Sequence, residues 1–194
     1  MGVDGIVLAA GLSSRFGRYK LTLDIQGKTV IERCIEPMYD ICSSIIVVGG
    51  HNYDSLCHTL KPYGKVKLIF NENYAEGMFS SIKKGILQVQ QDKFILTPGD
   101  YPIIKKETYL KVLSTDNDIV VPVYKNINGH PVLIKSCLIG KILSGGYSSM
   151  REFIYEHGFS TICTEDEGIL LDIDIPEDYE GLMKRLSSVN DHMI

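Results

Sequence analysis

Apolar and polar positions along this chain alternate between two rhythms. Val3–Leu8 is a mostly apolar run of strand length, and Ser44–Val48, Val66–Phe70 and Lys93–Thr97 repeat the type. Such runs suit strands buried on both faces of a parallel sheet. Between them apolar residues recur at helical spacing: Ile31, Cys34, Ile35 and Met38 within Val30–Tyr39, and Ile82, Ile86 and Val89 within Ser80–Gln90. Tyr53–Leu60 reads as a helix that stops before Pro62, and Lys106–Leu113 as another.

The second half is less regular. Asp118–Tyr124 and Pro131–Ile134 read as strands around a turn at Asn126–Gly129. Helices are expected at Ser136–Leu143 and Ser148–His157, and short strands at Phe159–Thr164 and Ile169–Ile173. A closing helix begins at Pro176, which suits a first helical turn, and residues 188–194 read as a frayed tail. The alternation predicts an α/β fold of three layers, Rossmann-like, with a mostly parallel sheet and helices on both faces. No repeat, linker or low-complexity tract divides the 194 residues, so 1–194 is expected to form one domain.

Composition narrows the function class. The chain is 44% hydrophobic and 23% charged, with a formal charge of −4, which argues against general nucleic-acid binding. Any anionic ligand must be held by a local cluster of cations. No apolar run is long enough to cross a bilayer, no signal-peptide pattern opens the chain, and Ile6 breaks the myristoylation pattern. The five cysteines are scattered, without a C-x-x-C pair, and read as reduced thiols of a cytoplasmic protein.

The first strand breaks into Ala9-Ala10-Gly11-Leu12-Ser13-Ser14-Arg15-Phe16-Gly17-Arg18-Tyr19-Lys20. Small residues let backbone amides approach a ligand, and cations in the same loop neutralise an anion such as a triphosphate. Five residues between Gly11 and Gly17 exclude a Walker A loop, and Ser13 breaks the dinucleotide fingerprint. Two acidic stretches lie at later strand ends, where open α/β sheets bind ligands. Thr97-Pro98-Gly99-Asp100-Tyr101-Pro102 holds one aspartate, and Asp172-Ile173-Asp174 places two on one side of an expected strand. Mg²⁺ needs only one or two carboxylates beside substrate phosphates, and Asp100 with Asp174 fits that need. The plainer alternatives are a turn aspartate at 100 and a helix cap at 174.

Leu8-Ala9-Ala10-Gly11-Leu12-Ser13-Ser14-Arg15-Phe16-Gly17 with Lys20 resembles the signature loop of the MobA-like nucleotidyltransferases, and more narrowly of the molybdenum cofactor cytidylyltransferases (MocA-type). Gly99-Asp100-Tyr101-Pro102 is similar to that family's G-D-x-P motif, and Asp172–Asp178 to its D-x-D-T-P-E-D segment. Asn71–Ser81 resembles the N-x-x-W/Y-A-x-G-M-x-x-S segment, and Gly129-His130-Pro131-Val132-Leu133 the G-H-P-V-L segment. The resemblance implies a Mg²⁺-dependent enzyme that transfers CMP from CTP (or another nucleoside triphosphate) to a molybdopterin-type acceptor, releasing pyrophosphate.

By resemblance Arg15, Lys20 and Asp100 serve catalysis, and Leu8, Ala9, Ala10, Gly11, Ser13, Gly77, Met78 and Ser81 frame the nucleotide. Asp100 and Asp174 bind the metal, with Asp172 in reserve, and His130 faces the acceptor. Residues 1–100 would be the nucleotide-binding half and 101–194 the acceptor half, with a molybdoenzyme or its chaperone as protein partner. Ala10, where the guanylyl branch carries glycine, favours CTP. Tyr101 in place of the usual Gln, Ile175 in place of Thr, and a 144–151 loop without the family's acidic residue depart from the pattern. They leave room for a sugar phosphate or other small phosphate as acceptor, or for a non-catalytic nucleotide-binding protein.

Overall fold

The computed structural model describes residues 2–190. Strand β1 (Val3–Ala9) lies inside the sheet, with β4 (Ser44–Gly49) and β6 (Lys93–Pro98) parallel on either side. Strand β5 (Val66–Phe70) is one edge; β9 (Val132–Lys135), β7 (Ile119–Tyr124) and β10 (Ser160–Cys163) extend the other side, giving the order β10-β7-β9-β6-β1-β4-β5. β9 runs antiparallel to both neighbours, and the short β8 (Ile127–Asn128) folds back antiparallel on β7. A two-residue ladder, β2 (Asp24–Ile25) with β3 (Lys28–Thr29), stands apart.

Strand alternation sends side chains into two cores. Val7, Val47 and Ile95 meet Ile31, Ile35 and Met38 of α1 (Val30–Tyr39), Leu56 of α2 (Tyr53–Leu60), Tyr109 of α4 (Lys106–Leu113) and Leu182 of α7 (Pro176–Asn190). Ile6, Val48, Phe94 and Leu96 meet Ile82 and Ile86 of α3 (Met78–Ile86), Ile142 of α5 (Ile139–Ser144) and Phe153 of α6 (Met150–His157). The three-layer expectation holds. The connection from β4 and β5 through α3 crosses back to β6, so the sheet order reverses beside β1. The crevice at the carboxyl ends of β1 and β6 is where such sheets bind ligands.

Three local expectations need correction. Ile169–Ile173 is not a strand: Glu167–Leu170 is a 3₁₀ turn, and Asp172–Asp174 follow as extended chain outside the sheet. Ile169 and Ile173 alternate because both plug the core, not because a neighbouring strand pairs with them. The hairpin turn falls at Lys125 and Asn126, whose φ of 48° and 66° suit a two-residue turn, rather than at Asn126–Gly129. Helix α3 starts at Met78 and stops at Ile86 instead of running from Ser80 to Gln90. The buried Asp4 carboxylate accepts bonds from the amides of Gln90 and Gln91 (2.8 and 3.2 Å), which takes those residues out of the helix. Of the expected tail at 188–194, residues 191–194 lie outside the described residues and 188–190 close α7.

Asp166, 4% exposed, holds the second half together. Its carboxylate accepts from the Lys105 amide (2.8 Å) and the Thr108 hydroxyl (2.7 Å) at the start of α4, and from the Gly168 amide (3.0 Å). Asp166→Ala would leave the buried Thr108 hydroxyl and Gly168 amide, and the part-buried Lys105 amide, without this acceptor. The expected destabilisation is about 3–5 kcal/mol, read from urea unfolding midpoints. A shift below about 1 kcal/mol would show that water replaces the carboxylate.

Candidate active site

The loop after β1 is shaped by its own residues. Ser13, at φ 53°, turns the chain so that the amides of Phe16 and Gly17 bond its carbonyl (3.0 and 3.2 Å). The Tyr19 hydroxyl donates to the Ala9 carbonyl (3.1 Å), and the Lys20 amide reaches the Ser13 hydroxyl (3.4 Å). The loop therefore curls over the end of β1 and points Lys20 back into the crevice. A Cβ built on Gly11 would meet no protein atom within 4 Å, so the space beside this backbone is open to a ligand.

Asp100 is delivered by Gly99, whose amide bonds the Leu8 carbonyl at 2.9 Å. A Cβ there would fall 3.1 Å from that carbonyl oxygen and 3.0 Å from Ile31, so glycine permits the loop to dock on β1. The Asp100 carbonyl in turn accepts the Ile173 amide (3.0 Å), which fastens the 171–174 segment beside it. Asp174 is not the cap of α7. Among the described residues its carboxylate accepts no amide of that helix, while Asp178 in the first turn reaches back to the amides of Asp174 and Ile175 at 2.9 Å each. Asp100 caps no helix either: its Oδ2 pairs with Lys20, and its Oδ1 accepts no bond among the described residues.

The result is a cluster of two carboxylates and two cations. Lys20 Nζ lies 2.7 Å from Asp100 Oδ2 and 3.4 Å from Asp174 Oδ1, and the Arg15 guanidinium pairs with Asp174 Oδ2. The Lys20 side chain is 11% exposed and that of Asp100 19%, whereas Arg15 is 74% exposed. Asp172 stays near without touching either cation; burial first, and then the Asp100 charge, push its carboxyl above the ordinary aspartate range. Asp100 Oδ1 is buried and has no hydrogen-bond partner among the described residues. Among these residues no group of three or more His, Cys, Asp or Glu side chains forms a ready cage. A magnesium ion does not require one: one or two carboxylates, water and substrate phosphates satisfy it. The orphaned Oδ1, together with hard oxygen donors from two loops, fits that ion.

Two cavities meet here. The first, about 420 Å³, is lined by Leu8, Ala9, Ala10, Gly11, Ser13, Arg15, Lys20, Gly77, Met78, Ser81, Asp100 and Asp174, together with Leu12, Ser14, Leu21, Tyr74, Ala75 and Pro98. Every residue assigned by resemblance to the nucleotide or metal is in this set. Ser81 also has a structural duty: with Ser80 it accepts bonds from the amide of the buried Asn71 (2.9 Å each), which ties the 71–81 loop to α3. Gly77, at φ 102°, opens that helix.

The second cavity, about 950 Å³, shares Leu8, Met78 and Pro98 with the first and contains His130. Its walls are largely apolar (Phe79, Ile82, Val121, Met150, Ile154), with Tyr101, Asn126, Asn128 and Arg151 among the polar lining. Tyr74 and Asn128 stand in the stretches that resemble the family's base-side and acceptor-side segments, without a role of their own. Asn126 reads in the sequence only as a turn residue; Tyr101 and Arg151 stand in stretches that depart from the family pattern. The proposed halves interleave, because Asp174 reaches the first cavity while Phe79, Ile82 and Leu96 line the second.

The His130 ring lies edge-on to Tyr101 with centroids 4.9 Å apart, and its Nδ1 is sealed from solvent without a partner among the described residues. Burial pushes the imidazole down from 6.5 to about 4, against the opposing pull of the Asp100 charge. The ring is thus neutral near pH 7. Between the ordinary value of 6.5 and the folded value of about 4 the unfolded chain binds a proton that the folded chain does not. Stability must therefore fall as pH drops through that window, by up to about 3 kcal/mol. Urea melts of His130→Asn, which cannot titrate there, should lose less across the same window. Parallel losses in the two proteins would mean that the ring is solvated and titrates normally.

Comparison with known proteins places the geometry in a family. The model of the MobA-like NTP transferase domain matches residues 5–160. The chain is 32% identical over 189 residues to the molybdenum cofactor cytidylyltransferase of Escherichia coli, covering 96% of this chain and 98% of that protein. It is 26% identical over 153 residues to a probable molybdenum cofactor guanylyltransferase of Bacillus cereus, covering 76% and 74%. A solved nucleotidyl transferase from Methanothermobacter superposes with a TM-score of 0.84 at 20% identity, covering 97% of this chain and 99% of that one.

Proposed function

We propose a reaction from one premise: the chain belongs to the MobA-like NTP transferase family, and it is a nucleotidyltransferase. The nucleotide is CTP and the acceptor a molybdopterin-type molybdenum cofactor. The observation that carries this reading is the Lys20–Asp100–Asp174 cluster lining the first cavity, which shares Leu8, Met78 and Pro98 as walls with the larger apolar one. A triphosphate in the first cavity and a ring-bearing phosphate in the second would meet over Asp100.

In that arrangement an acceptor phosphate oxygen attacks the α-phosphorus of CTP. The α–β bridging bond breaks, and its electron pair leaves with pyrophosphate. No covalent enzyme intermediate is needed, because positioning and charge neutralisation suffice for such transfers. Lys20 and Arg15 offset charge on the triphosphate and on the departing pyrophosphate, and amides of the Ala10–Ser13 loop add fixed donors beside the open space at Gly11. Asp100 and Asp174 would hold Mg²⁺, whose chemistry when bound is to draw charge from the phosphate oxygens. His130 lines the second cavity as a neutral ring beside Tyr101. Ala10 in place of the guanylyl branch's glycine supports CTP. The product would pass to a molybdoenzyme or its chaperone in the cytoplasm.

The test is pyrophosphate release from CTP, GTP, ATP and UTP with Mg²⁺, with and without molybdenum cofactor. Release that needs both CTP and that acceptor is the expected result. Release with another base would move the nucleotide assignment, and release only with sugar phosphates would overturn the acceptor. Binding of CTP without release under every condition would make the chain a non-catalytic binder.

A further inference from the structure

Asp100 and Asp174 are each paired with a cation of the loop after β1. We propose that Lys20 is an internal counterion that keeps divalent metal out of the Asp100–Asp174 pair until a triphosphate draws its ammonium away. Metal and nucleotide then bind with positive coupling. This inference rests on the reading of Asp100 and Asp174 as the metal ligands.

Burial makes Lys20 the effective blocker. Its ammonium touches both carboxylates, at 2.7 and 3.4 Å, while its side chain is 11% exposed, so solvent and salt screen it weakly. Arg15 also pairs with Asp174 but is 74% exposed and is readily screened. A divalent ion approaching the unpartnered Asp100 Oδ1 would have to share that carboxylate with an ammonium held on Oδ2. The repulsion in a poorly solvated crevice opposes binding, and even with Asp172 nearby, paired with neither, the two cations cancel most of the negative charge that would attract the ion.

A triphosphate in the same cavity reverses this balance. Lys20 lines the first cavity together with the open backbone at Gly11, so phosphate oxygens compete for its ammonium at short range. The lysine stem is flexible and its head is a compact charge, which suits a swing from carboxylate to phosphate. Once the ammonium has moved, both Asp100 oxygens and Asp174 Oδ1 are free for the metal. By linkage, the factor by which nucleotide tightens metal binding equals the factor by which metal tightens nucleotide binding. The ion therefore arrives with the nucleotide and not before it.

Mn²⁺ serves as the probe, with free ion read by electron paramagnetic resonance and protein-bound ion by water-proton relaxation enhancement. It is titrated into the whole protein alone and with saturating α,β-methylene CTP, whose α–β bridge is not cleaved. Wild type should bind Mn²⁺ about tenfold or more tightly with the analogue than without it, after correction for chelation by the analogue itself. Lys20→Met, which keeps the stem and removes the charge, should bind Mn²⁺ alone about tenfold or more tightly than wild type does. Lys20→Arg, which keeps the charge, should stay weak. Equal Mn²⁺ affinity of wild type with and without the analogue would overturn the counterion role. So would a Lys20→Met protein no tighter than wild type. Asp100→Asn in the ternary mixture separates the two readings: if wild type and Asp100→Asn hold Mn²⁺ equally there, the metal assignment itself is wrong and the inference falls with it. The wild-type comparison needs no variant to fold.

Discussion

Asp100→Asn is expected to lower turnover by about a thousandfold or more while the unfolding midpoint stays near that of wild type. The size follows from the role: a bound cation that draws charge from the transferring phosphate supplies several kcal/mol of transition-state stabilisation, and each 1.4 kcal/mol or so is tenfold in rate. The fold should tolerate the change because asparagine has nearly the same shape. The contacts that fix this loop, Gly99 amide to Leu8 carbonyl and Ile173 amide to Asp100 carbonyl, are backbone bonds that a side-chain change leaves intact. Lys20 loses one carboxylate but keeps Asp174 at 3.4 Å. Steady-state kinetics and circular-dichroism melts of the two proteins decide the matter. Near-wild-type activity would remove Asp100 from the metal site.

Lys20→Met should cost triphosphate binding about a hundredfold and monophosphate binding less than about threefold, with kcat also reduced. A charge-assisted bond from a half-sequestered ammonium is worth about 1.5–3 kcal/mol, and only the β- and γ-phosphates distinguish CTP from CMP. Competition binding with CTP, CDP and CMP measures the difference. Equal losses for CTP and CMP would place Lys20 away from the outer phosphates. The same variant is the one expected to bind Mn²⁺ better without nucleotide. Tighter metal with slower turnover would be a paired signature that a merely structural lysine could not produce.

Much of the site was legible in the chain because its parts are local. The run from Leu8 to Lys20 carries small residues and cations within one loop, and the structure lines a single cavity with Leu8, Ala9, Ala10, Gly11, Ser13, Arg15 and Lys20. Gly99 before Asp100 marked a strand end with a constrained carboxylate. The sheet was legible for a similar reason, since continuous apolar runs and helical spacing report burial directly.

Where the sequence misled, distant partners had overridden local pattern. Ile169 and Ile173 alternate like a strand, yet among the described residues they pair with no strand and fill the core from a 3₁₀ turn and a coil. Helix α3 ends early because Asp4, 86 residues away from Gln90, captures its amide. Asp174 stands just before the closing helix like a cap, yet its carboxylate pairs with Lys20 and Arg15 across the crevice instead.

The sequence by itself determined which residue types stand in each loop and which kind of fold presents them, because propensity, hydrophobic period and residue type act within a few positions. Tertiary structure alone decided that one lysine bridges two carboxylates 80 and 154 residues away from it in sequence. It also paired Asp100 and Asp174 with two cations and left one buried Asp100 oxygen without a partner among the described residues. Those outcomes depend on charge separation and burial, which exist only once the loops after β1 and β6 and the segment before α7 have been brought to one crevice.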